Sequence, residues 1–316
     1  MNDIIWMVVK VLVAIDLISL VALWALLKWR KVSVYRTRFG LAMVFDSLDA
    51  EGDEIRLLNV NGTFQSISYT GRKEGAAGGK DGEPAATGDG RDHDTRDDPD
   101  TDPRFEPVCA YHQYFAEVID MLGPNGHAGA EGLGDALVIG GGGYSFPKWL
   151  VAHCPQAHVD VAEIDPKVVD IAHRHFFLRE LEARYHAEAR GRLDTHVTDG
   201  WAYLQEGDRR WQVIVNDAFR AKRPLGELTG AEGARRIHDH LAPGGVYLAN
   251  LLCPREGKGS EPLRTVVEAF SGEFAYTYLF PEWPDDPTRG GANAFVATDR
   301  RLPIAGRYLV SERASA

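Results

Sequence analysis

The sequence has few cysteines and lacks the commonest short catalytic motifs. Its three cysteines, Cys109, Cys154 and Cys253, are isolated and show no CxxC spacing. We therefore expect no disulfide framework and no metal site, and this cysteine usage is typical of a reducing compartment. The chain also contains no phosphate-binding lysine loop, no GxSxG and no HExxH. These absences argue against P-loop nucleotide hydrolases, serine hydrolases with a nucleophile elbow, and zincin proteases.

Basic residues are outnumbered by acidic ones. The 316 residues include 35 Lys and Arg against 46 Asp and Glu, a formal net charge of -11. No basic stripe offsets this charge, which argues against nucleic acid as a partner. The hydrophobic fraction of 44% and the charged fraction of 26% are typical of a globular protein with a sizeable core.

Large apolar side chains are almost absent from residues 72–103, where Gly, Asp and Pro dominate. Such a segment cannot bury enough apolar surface to offset the conformational entropy that ordering would cost. We therefore predict a disordered acidic insert over residues 72–103.

The N-terminal segment, by contrast, consists mostly of large apolar residues. Residues 4–27 are apolar apart from Lys10, Asp16 and Ser19. A helix of this length reaches about 36 Å, enough for a bilayer core of about 30 Å. Lysine and arginine cluster directly after the run, at residues 28–31, which places the rest of the chain in the cytoplasm. We predict a single-pass anchor over residues 1–31 in the cell inner membrane; a buried amphipathic helix is the alternative.

A β-rich segment follows. The runs EIRLLNV and TFQSISY are separated by Asn61-Gly62. Both residues accept the positive φ of a type I′ turn, so this pattern predicts a β-hairpin. We assign residues 32–71 and 104–128 to a small β-rich domain that the acidic insert interrupts.

From Asp135 to Asp299 strand-like and helical patterns alternate. The strand-like runs are ALVIG, HVDVAEI, RLDTHVTD, WQVIVNDAF, GVYLANLL, AYTYLF and ANAFVAT. This alternation predicts an α/β fold with a Rossmann-like, methyltransferase-type sheet of seven mostly parallel strands over residues 129–300. The last two runs have no long helix between them, which fits an antiparallel hairpin. Residues 301–316 are predicted to be a tail.

Glycines and acids follow the first four predicted strands. The first strand leads into four glycines, Gly140, Gly141, Gly142 and Gly143, where a sharp turn lets a ligand approach the backbone. The second ends at Glu163, and an acid there can accept hydrogen bonds from both ribose hydroxyls.

The third strand ends at Asp199-Gly200 and the fourth at Asp217. An acid at the third position can accept a hydrogen bond from an adenine amino group. Each of these acids could instead cap a helix, and for Asp165, before Pro166, capping is the preferred interpretation. Together the four strand ends predict a nucleoside pocket.

In this order, the motifs GGGG, VAEIDP, VTDGWAYL and VNDAF resemble the spermidine synthase family, including its membrane-associated spermidine synthase-like members. NGTFQS and CAYHQYF extend the resemblance upstream, so that it covers residues 41–300 apart from the insert. The resemblance implies a β-domain that caps a Rossmann-like domain. It also implies roles for individual residues: ribose binding by Glu163, adenine binding by Asp199, a cleft lined by Gln65 and Tyr111 with His112 beside them, and an attacking amine at Asp217.

Two positions depart from the family pattern. Spermidine synthases typically carry an aspartate at the position of Gly143, where it contacts the amine of the decarboxylated donor. They typically carry a second acid at the position of Arg220. A buried dicationic diamine needs carboxylate partners, so these changes argue against an ordinary putrescine pocket.

Three functions remain open. The first is aminopropyl transfer from decarboxylated S-adenosylmethionine to an amine acceptor, with Asp217 orienting and deprotonating the amine. The second is methyl transfer from intact S-adenosylmethionine, with Arg220 pairing with a carboxylate of donor or acceptor. The third is a non-catalytic, membrane-held nucleoside-binding module. The candidate partners are a small-molecule amine or other acceptor, the membrane, and a second copy of the chain in a homodimer.

Overall fold

The computed structural model describes residues 31–71, 102–123, 132–220, 223–224 and 226–313, together with Ser19, Val21 and Lys28. The first described elements form a four-stranded antiparallel sheet. Its strands, in spatial and chain order, are β1 (Ser33–Thr37), β2 (Gly40–Leu48), β3 (Glu54–Val60) and β4 (Thr63–Tyr69). Asn61 and Gly62 join β3 to β4 with φ values of 50° and 81°, as a type I′ turn requires. The predicted hairpin is confirmed.

The later strands form a larger sheet and a short ladder. They are β5 (Asp135–Ile139), β6 (His158–Ala162), β7 (Leu193–His196), β8 (Trp211–Asn216), β9 (Phe219–Arg220), β10 (Arg223–Pro224), β11 (Leu241–Cys253), β12 (Tyr276–Phe280), β13 (Gly291–Thr298) and β14 (Leu309–Glu312). The large sheet has eight strands in the order β14-β12-β13-β11-β8-β5-β6-β7, and β9 pairs with β10 separately. Strands β11, β8, β5, β6 and β7 run parallel, whereas β13, β12 and β14 pair antiparallel.

Helices cover both faces of the large sheet. They are α1 (Ala110–Asp120), α2 (Ser145–His153), α3 (Pro166–His175), α4 (Leu178–Tyr185), α5 (Gly200–Gln205), α6 (Ala231–Asp239) and α7 (Glu261–Glu273). Successive side chains of a strand point to opposite faces, so β5 contributes to two cores. Ala136 and Val138 join the core beside α2 and α3, while Leu137 and Ile139 join the core beside α6 and α7.

The α/β class and the methyltransferase-like sheet are confirmed, with one addition. All seven predicted runs form strands. The eighth strand, β14, lies in the region predicted to be a tail and pairs antiparallel with β12. Leu302, in the same region, is buried. The sheet is therefore mixed, with an antiparallel edge of three strands.

The structure contradicts the predicted location in the cell inner membrane. A span needs about 20 consecutive apolar residues in one helix. In the part of the chain that the structure describes, no helix is both long and apolar enough to cross a bilayer. The longest described helix, α7, has 13 residues and packs one face on the sheet. The predicted span at residues 4–27 lies outside the described residues except for Ser19 and Val21, both helical and exposed.

The chain on either side of the predicted insert is described as well. Residues 72–101 lie outside the described residues, whereas Asp102 begins a short 3-10 turn at Pro103–Phe105 and accepts a hydrogen bond from the Arg104 backbone. Beyond it, the segment assigned to the β-rich domain contains the helix α1 and no strand among its described residues, and α1 buries Phe115 in the core beside α2.

Candidate active site

A cavity of about 240 Å³ opens at the carboxyl ends of the parallel strands and is covered by the small sheet. Ligands of open α/β sheets bind at this edge, next to the point where the strand order reverses. Here the reversal lies between β5 and β8. Most predicted site residues line this cavity: Gln65, His112, Gly140, Gly141, Gly142, Glu163, Asp199, Gly200 and Asp217.

The glycine turn after β5 has a steric reason. Gly140 and Gly142 have φ values of 93° and 51°, which favour glycine. A Cβ on Gly140 would lie 2.8 Å from the backbone oxygen of Asp217. A Cβ on Gly200 would collide with the side chain of Ile139. A side chain at Gly140 or Gly200 would therefore collide with the backbone of Asp217 or with Ile139.

Glu163 holds the glycine turn in place. Its Oε2 accepts hydrogen bonds from the backbone nitrogens of Gly141 at 2.9 Å and Gly142 at 3.1 Å, and its Oε1 accepts one from Asp165 at 2.9 Å. Burial raises the pKa of Glu163. A carboxylate offers about four acceptor positions, so at least one remains for a ligand. Sequence reasoning did not foresee the contact with the turn.

Two other acids act as helix caps. Asp165 Oδ1 accepts a hydrogen bond from Lys167 N at 2.9 Å at the start of α3, which confirms the predicted cap. Its Oδ2 accepts a second one from Arg38 N, in the turn between β1 and β2. Asp199 caps α5 by accepting from Ala202 N at 3.1 Å and also lines the cavity. Capping and cavity lining are thus compatible for Asp199.

Asp217 is surrounded by hydrogen-bond donors. Its Oδ2 accepts from Tyr111 Oη at 2.9 Å and lies 3.0 Å from His112 Nε2, and its Oδ1 accepts from Asn250 Nδ2 at 3.1 Å. An ionised carboxylate only accepts, so His112 Nε2 is the donor in this contact. Tyr111 and His112 come from α1, whereas Asn250 comes from β11, the neighbour of β8. No sequence motif marks Asn250, whose contact depends on the sheet order.

Unpaired acceptors lie beside this carboxylate. His112 Nδ1 and Asn250 Oδ1 are buried without a hydrogen-bond partner. In a neutral ring with its proton on Nε2, Nδ1 is an acceptor; the ring stacks on Phe146 with centroids 5.2 Å apart. Burial and the Asp217 charge raise the pKa of Tyr111 well above its usual value, so its hydroxyl stays a donor. Within this cluster Asp217 and His112 line the cavity, so these two side chains can accept N–H bonds from a ligand.

The two departures from the family pattern have different surroundings. A Cβ on Gly143 would lie 2.7 Å from Ser66 Oγ and 2.7 Å from Phe176 Cδ1, so the space for a side chain is already filled. The backbone of Arg220 pairs with Arg223 between β9 and β10. The side chain of Arg220 lies outside the described part of the structure, so its predicted contact with a ligand stays a prediction.

One side-chain cluster elsewhere in the described residues has the spacing of a metal site. Ligand atoms of His158, Asp160 and Asp194 lie within 4.8 Å of one another. Asp160 is fully buried, however, and already accepts from Trp211 Nε1 at 2.8 Å and pairs with Arg209 Nη1 at 2.8 Å. Both of these contacts are to Oδ2, and Oδ1 lies 2.9 Å from His196 Nε2, so both oxygens of Asp160 already have partners and the cluster is an ion-pair network rather than a fit for a cation.

Two curated relatives match part of the chain. The eEF1A lysine and N-terminal methyltransferase homolog of Drosophila melanogaster is 23% identical over 178 residues, 54% of this chain and 25% of that protein. The polyamine aminopropyltransferase of Vibrio vulnificus is 29% identical over 149 residues, 46% of this chain and 46% of that protein. The chain thus spans less than half the length of each of these relatives.

A spermidine synthase solved in complex with the transition-state analogue AdoDATO shares the fold. Its TM-score is 0.57 at 17% identity, and the match covers 85% of this chain and 74% of that one. At this level of identity, the likeness establishes the fold alone.

The model of the spermine/spermidine synthase domain matches residues 109–281, more than half of the chain. The matched region runs from the start of α1 to the end of β12, and so includes the glycine turn, Glu163 and the Asp217 cluster. The resemblance seen in the motifs is thereby confirmed. The chain belongs to the spermine/spermidine synthase domain family.

Proposed function

We propose that the chain is a transferase that binds an S-adenosyl nucleoside and alkylates an amine nitrogen beside Asp217. The observation that carries this proposal is that one cavity holds the glycine turn, Glu163, Asp199 and Asp217. The remaining acceptor capacity of Glu163 suits the ribose hydroxyls, and Asp199 suits an adenine amino group. Family membership supports the same type of donor.

The surroundings of Asp217 favour an amine as the nucleophile. An amine can donate N–H bonds to the Asp217 carboxylate and, when the His112 ring is neutral, to His112 Nδ1, which otherwise lacks a partner; Asp217 and His112 both line the cavity. Tyr111 donates a hydrogen bond to the Asp217 carboxylate. Gln65 lines the wall of the same cavity. Buried acceptors without donors are costly, so an amine ligand would stabilise this arrangement.

Decarboxylated and intact S-adenosylmethionine would react by the same type of step. The lone pair of the neutral amine attacks the carbon bonded to the donor's sulfonium, and the carbon–sulfur bond breaks with its electron pair going to sulfur. The products are a neutral thioether and an alkylated ammonium, whose proton passes to Asp217 or to water. Asp217 orients the amine for in-line attack, which makes the step effectively intramolecular.

Two observations favour different transferred groups. Aminopropyl transfer from decarboxylated S-adenosylmethionine is supported by family membership and by the Vibrio vulnificus relative, a polyamine aminopropyltransferase. Methyl transfer from intact S-adenosylmethionine is supported by Gly143, whose filled side-chain space leaves no room for the acid that contacts the decarboxylated donor. The Drosophila melanogaster relative, a lysine and N-terminal methyltransferase homolog, also acts on amines by its name.

The test is to incubate the full chain with each donor and to identify the nucleoside product by mass spectrometry. Putrescine, spermidine and a lysine peptide serve as acceptors. We expect methylthioadenosine from the decarboxylated donor or S-adenosylhomocysteine from the intact one. Asp217→Asn should lower turnover by about 100-fold or more, because an amide cannot accept the amine proton. Methylthioadenosine should bind this variant within about twofold of wild type, since its binding is assigned to Glu163 and Asp199.

The outcomes separate the candidate functions. Full turnover in Asp217→Asn would contradict the assigned role of Asp217. Nucleoside binding without any product would identify the non-catalytic nucleoside-binding module. Calorimetry that detects no binding of methylthioadenosine, S-adenosylmethionine or S-adenosylhomocysteine would contradict the proposal as a whole.

A further inference from the structure

Two consecutive residues of β4, Gln65 and Ser66, both line the cavity. Successive side chains of a regular strand point to opposite faces of its sheet. Here the pairing of β4 with β3 is interrupted, because Phe64 and Ser66 pair with neighbouring residues of β3 and Gln65, between them, has no partner in the ladder. A bulge of this kind bends the strand and re-aims its side chains. Ser66 therefore faces the cavity together with Gln65.

The bulge lies over the glycine turn that follows β5. A Cβ on Gly142 would lie 3.2 Å from the backbone oxygen of Gln65, and a Cβ on Gly143 would lie 2.7 Å from Ser66 Oγ. The Ser66 hydroxyl thus occupies the space in which a side chain at residue 143 would begin. A ligand that passes over the glycine turn therefore meets this hydroxyl.

The hydrogen bonds of Ser145 determine the role of the Ser66 hydroxyl. Ser145 Oγ donates its only proton to the backbone oxygen of Ile67 at 2.7 Å. In the 3.0 Å contact between the two serines, Ser145 is therefore the acceptor and Ser66 is the donor. Ser66 Oγ has no other hydrogen-bond partner among the described residues. Its lone pairs are left for a ligand, so Ser66 can accept a hydrogen bond in the cavity but has no proton to offer there.

The order of the strands places the tail of a bound donor beside Ser66. Asp199 follows β7, Glu163 follows β6 and Asp217 follows β8, while the glycine turn follows β5. The spatial order of these strands is β8-β5-β6-β7. With adenine at Asp199 and ribose at Glu163, the sulfur on the 5′ carbon of the ribose lies over the glycine turn, on the side of Asp217. The groups bonded to that sulfur are then next to the bulge of β4.

We propose that Ser66 accepts a hydrogen bond from the amino group on the tail of the S-adenosyl donor and so orients this tail over the glycine turn. The inference rests on the proposed nucleoside binding and adds a donor-binding residue to it. In both decarboxylated and intact S-adenosylmethionine the amino group is on the third carbon from sulfur, so the same contact serves either donor. A hydroxyl is an uncharged acceptor, and its contact with an ammonium is weaker than that of a carboxylate.

The charges around the cavity suit an ammonium. The described residues that line it include three acids, Glu163, Asp199 and Asp217, and no lysine or arginine. Lys148 is fully buried in α2 and does not belong to this lining. Burial lowers the pKa of Lys148 to about 7, so its amine is mostly uncharged at pH 8. At that pH the carboxylates dominate the charge near the bound tail and favour its protonated form.

The test compares two nucleosides that differ only in the amino group. Decarboxylated S-adenosylhomocysteine and 5′-propylthioadenosine are titrated into the full chain by calorimetry at pH 8. We expect wild type to bind the amine at least about tenfold more tightly. Ser66→Ala should reduce this preference to about twofold and leave the affinity for 5′-propylthioadenosine within about twofold of wild type. Ser47→Ala, at an exposed serine on β2 of the same sheet, is the matched control and should keep the preference.

A second variant tests the contact in the opposite direction. Ser66→Asp places a carboxylate at the same position and should raise the preference for the amine above that of wild type, because a charge-assisted hydrogen bond is stronger than a neutral one. A purely structural role of Ser66 would not produce this gain. Thermal melting shows whether the variant folds, and Ser66→Ala keeps the test decisive if it does not.

The results distinguish the inference from the proposed function. Equal affinity of wild type for the two nucleosides would overturn the amine contact while leaving the nucleoside pocket intact. A tenfold preference that survives in Ser66→Ala, or one that does not rise in folded Ser66→Asp, would overturn it too, since the amine would be held elsewhere. No binding of 5′-propylthioadenosine or methylthioadenosine to wild type would instead count against the proposed function.

Discussion

Glu163 is a buried carboxylate whose three hydrogen bonds all come from backbone nitrogens. Two of these donors belong to the glycine turn and the third to Asp165, so one side chain joins the ends of β5 and β6. The same carboxylate lines the cavity. Its support of the turn and its proposed contact with ribose therefore depend on each other.

We expect Glu163→Gln to weaken both the fold and ligand binding. The amide nitrogen of glutamine would face backbone N–H groups on one side or the other, leaving donors opposed to donors. The loss should be about 1.5–3 kcal/mol in nucleoside affinity, with a lower free energy of unfolding as well. Calorimetry with methylthioadenosine and urea unfolding measure the two effects. Asp170→Asn, at a carboxylate on the exposed face of α3 that pairs with Lys167, is the control and should change neither by more than a few tenths of a kcal/mol. Unchanged affinity in Glu163→Gln would remove Glu163 from the ribose site.

Elements with a strong local pattern were predictable from the sequence. The Asn61-Gly62 turn and the seven strands have clear residue signals, and the glycine turn marks the end of β5. Strand β14 was missed because four residues at the end of a polar segment carry too little periodicity to be distinguished from a tail. The contact of Asn250 with Asp217 and the hydrogen bond between Ser66 and Ser145 were missed for another reason. These contacts join residues far apart in sequence, and only the sheet order brings them together.

The 3-10 turn Pro103–Phe105, between the acidic region and α1, is capped by the side chain of Asp102. Asp102 accepts from the Arg104 backbone at 3.1 Å and pairs with the Arg104 guanidinium at 2.7 Å. These contacts lower the pKa of Asp102. We expect Asp102→Ala to destabilise the protein by about 1 kcal/mol, the usual effect of losing a capping side chain. Urea unfolding at pH 7 measures this, and a change near zero would show that the turn does not depend on its cap.

The molecule as a whole joins its two sheets across a small polar contact that includes Lys148. Ser68 lies on β4 of the small sheet, Phe176 follows α3, and Lys148 lies on α2 of the large domain. Lys148 is fully buried at this contact. The protonation of its amine therefore affects the free energy of unfolding. Burial is the main cause of its lowered pKa, with Asp102 and Glu180 opposing the shift and Arg104 adding to it.

We expect stability to rise with pH above neutrality because of Lys148. Its pKa is about 7 in the folded state and 10.5 in the unfolded state. Below pH 7 both states hold the proton, and the folded state bears the full cost of a buried charge. Between pH 7 and 10.5 the unfolded state binds one more proton, so the free energy of unfolding increases with pH. From pH 7.5 to 9.0 wild type should gain about 2 kcal/mol relative to Lys148→Met, which has no proton to release. Urea unfolding of both proteins at the two pH values measures the difference, and Lys167→Met should follow wild type. Parallel curves for wild type and Lys148→Met would show that Lys148 keeps the same charge in both states and that burial does not shift its titration.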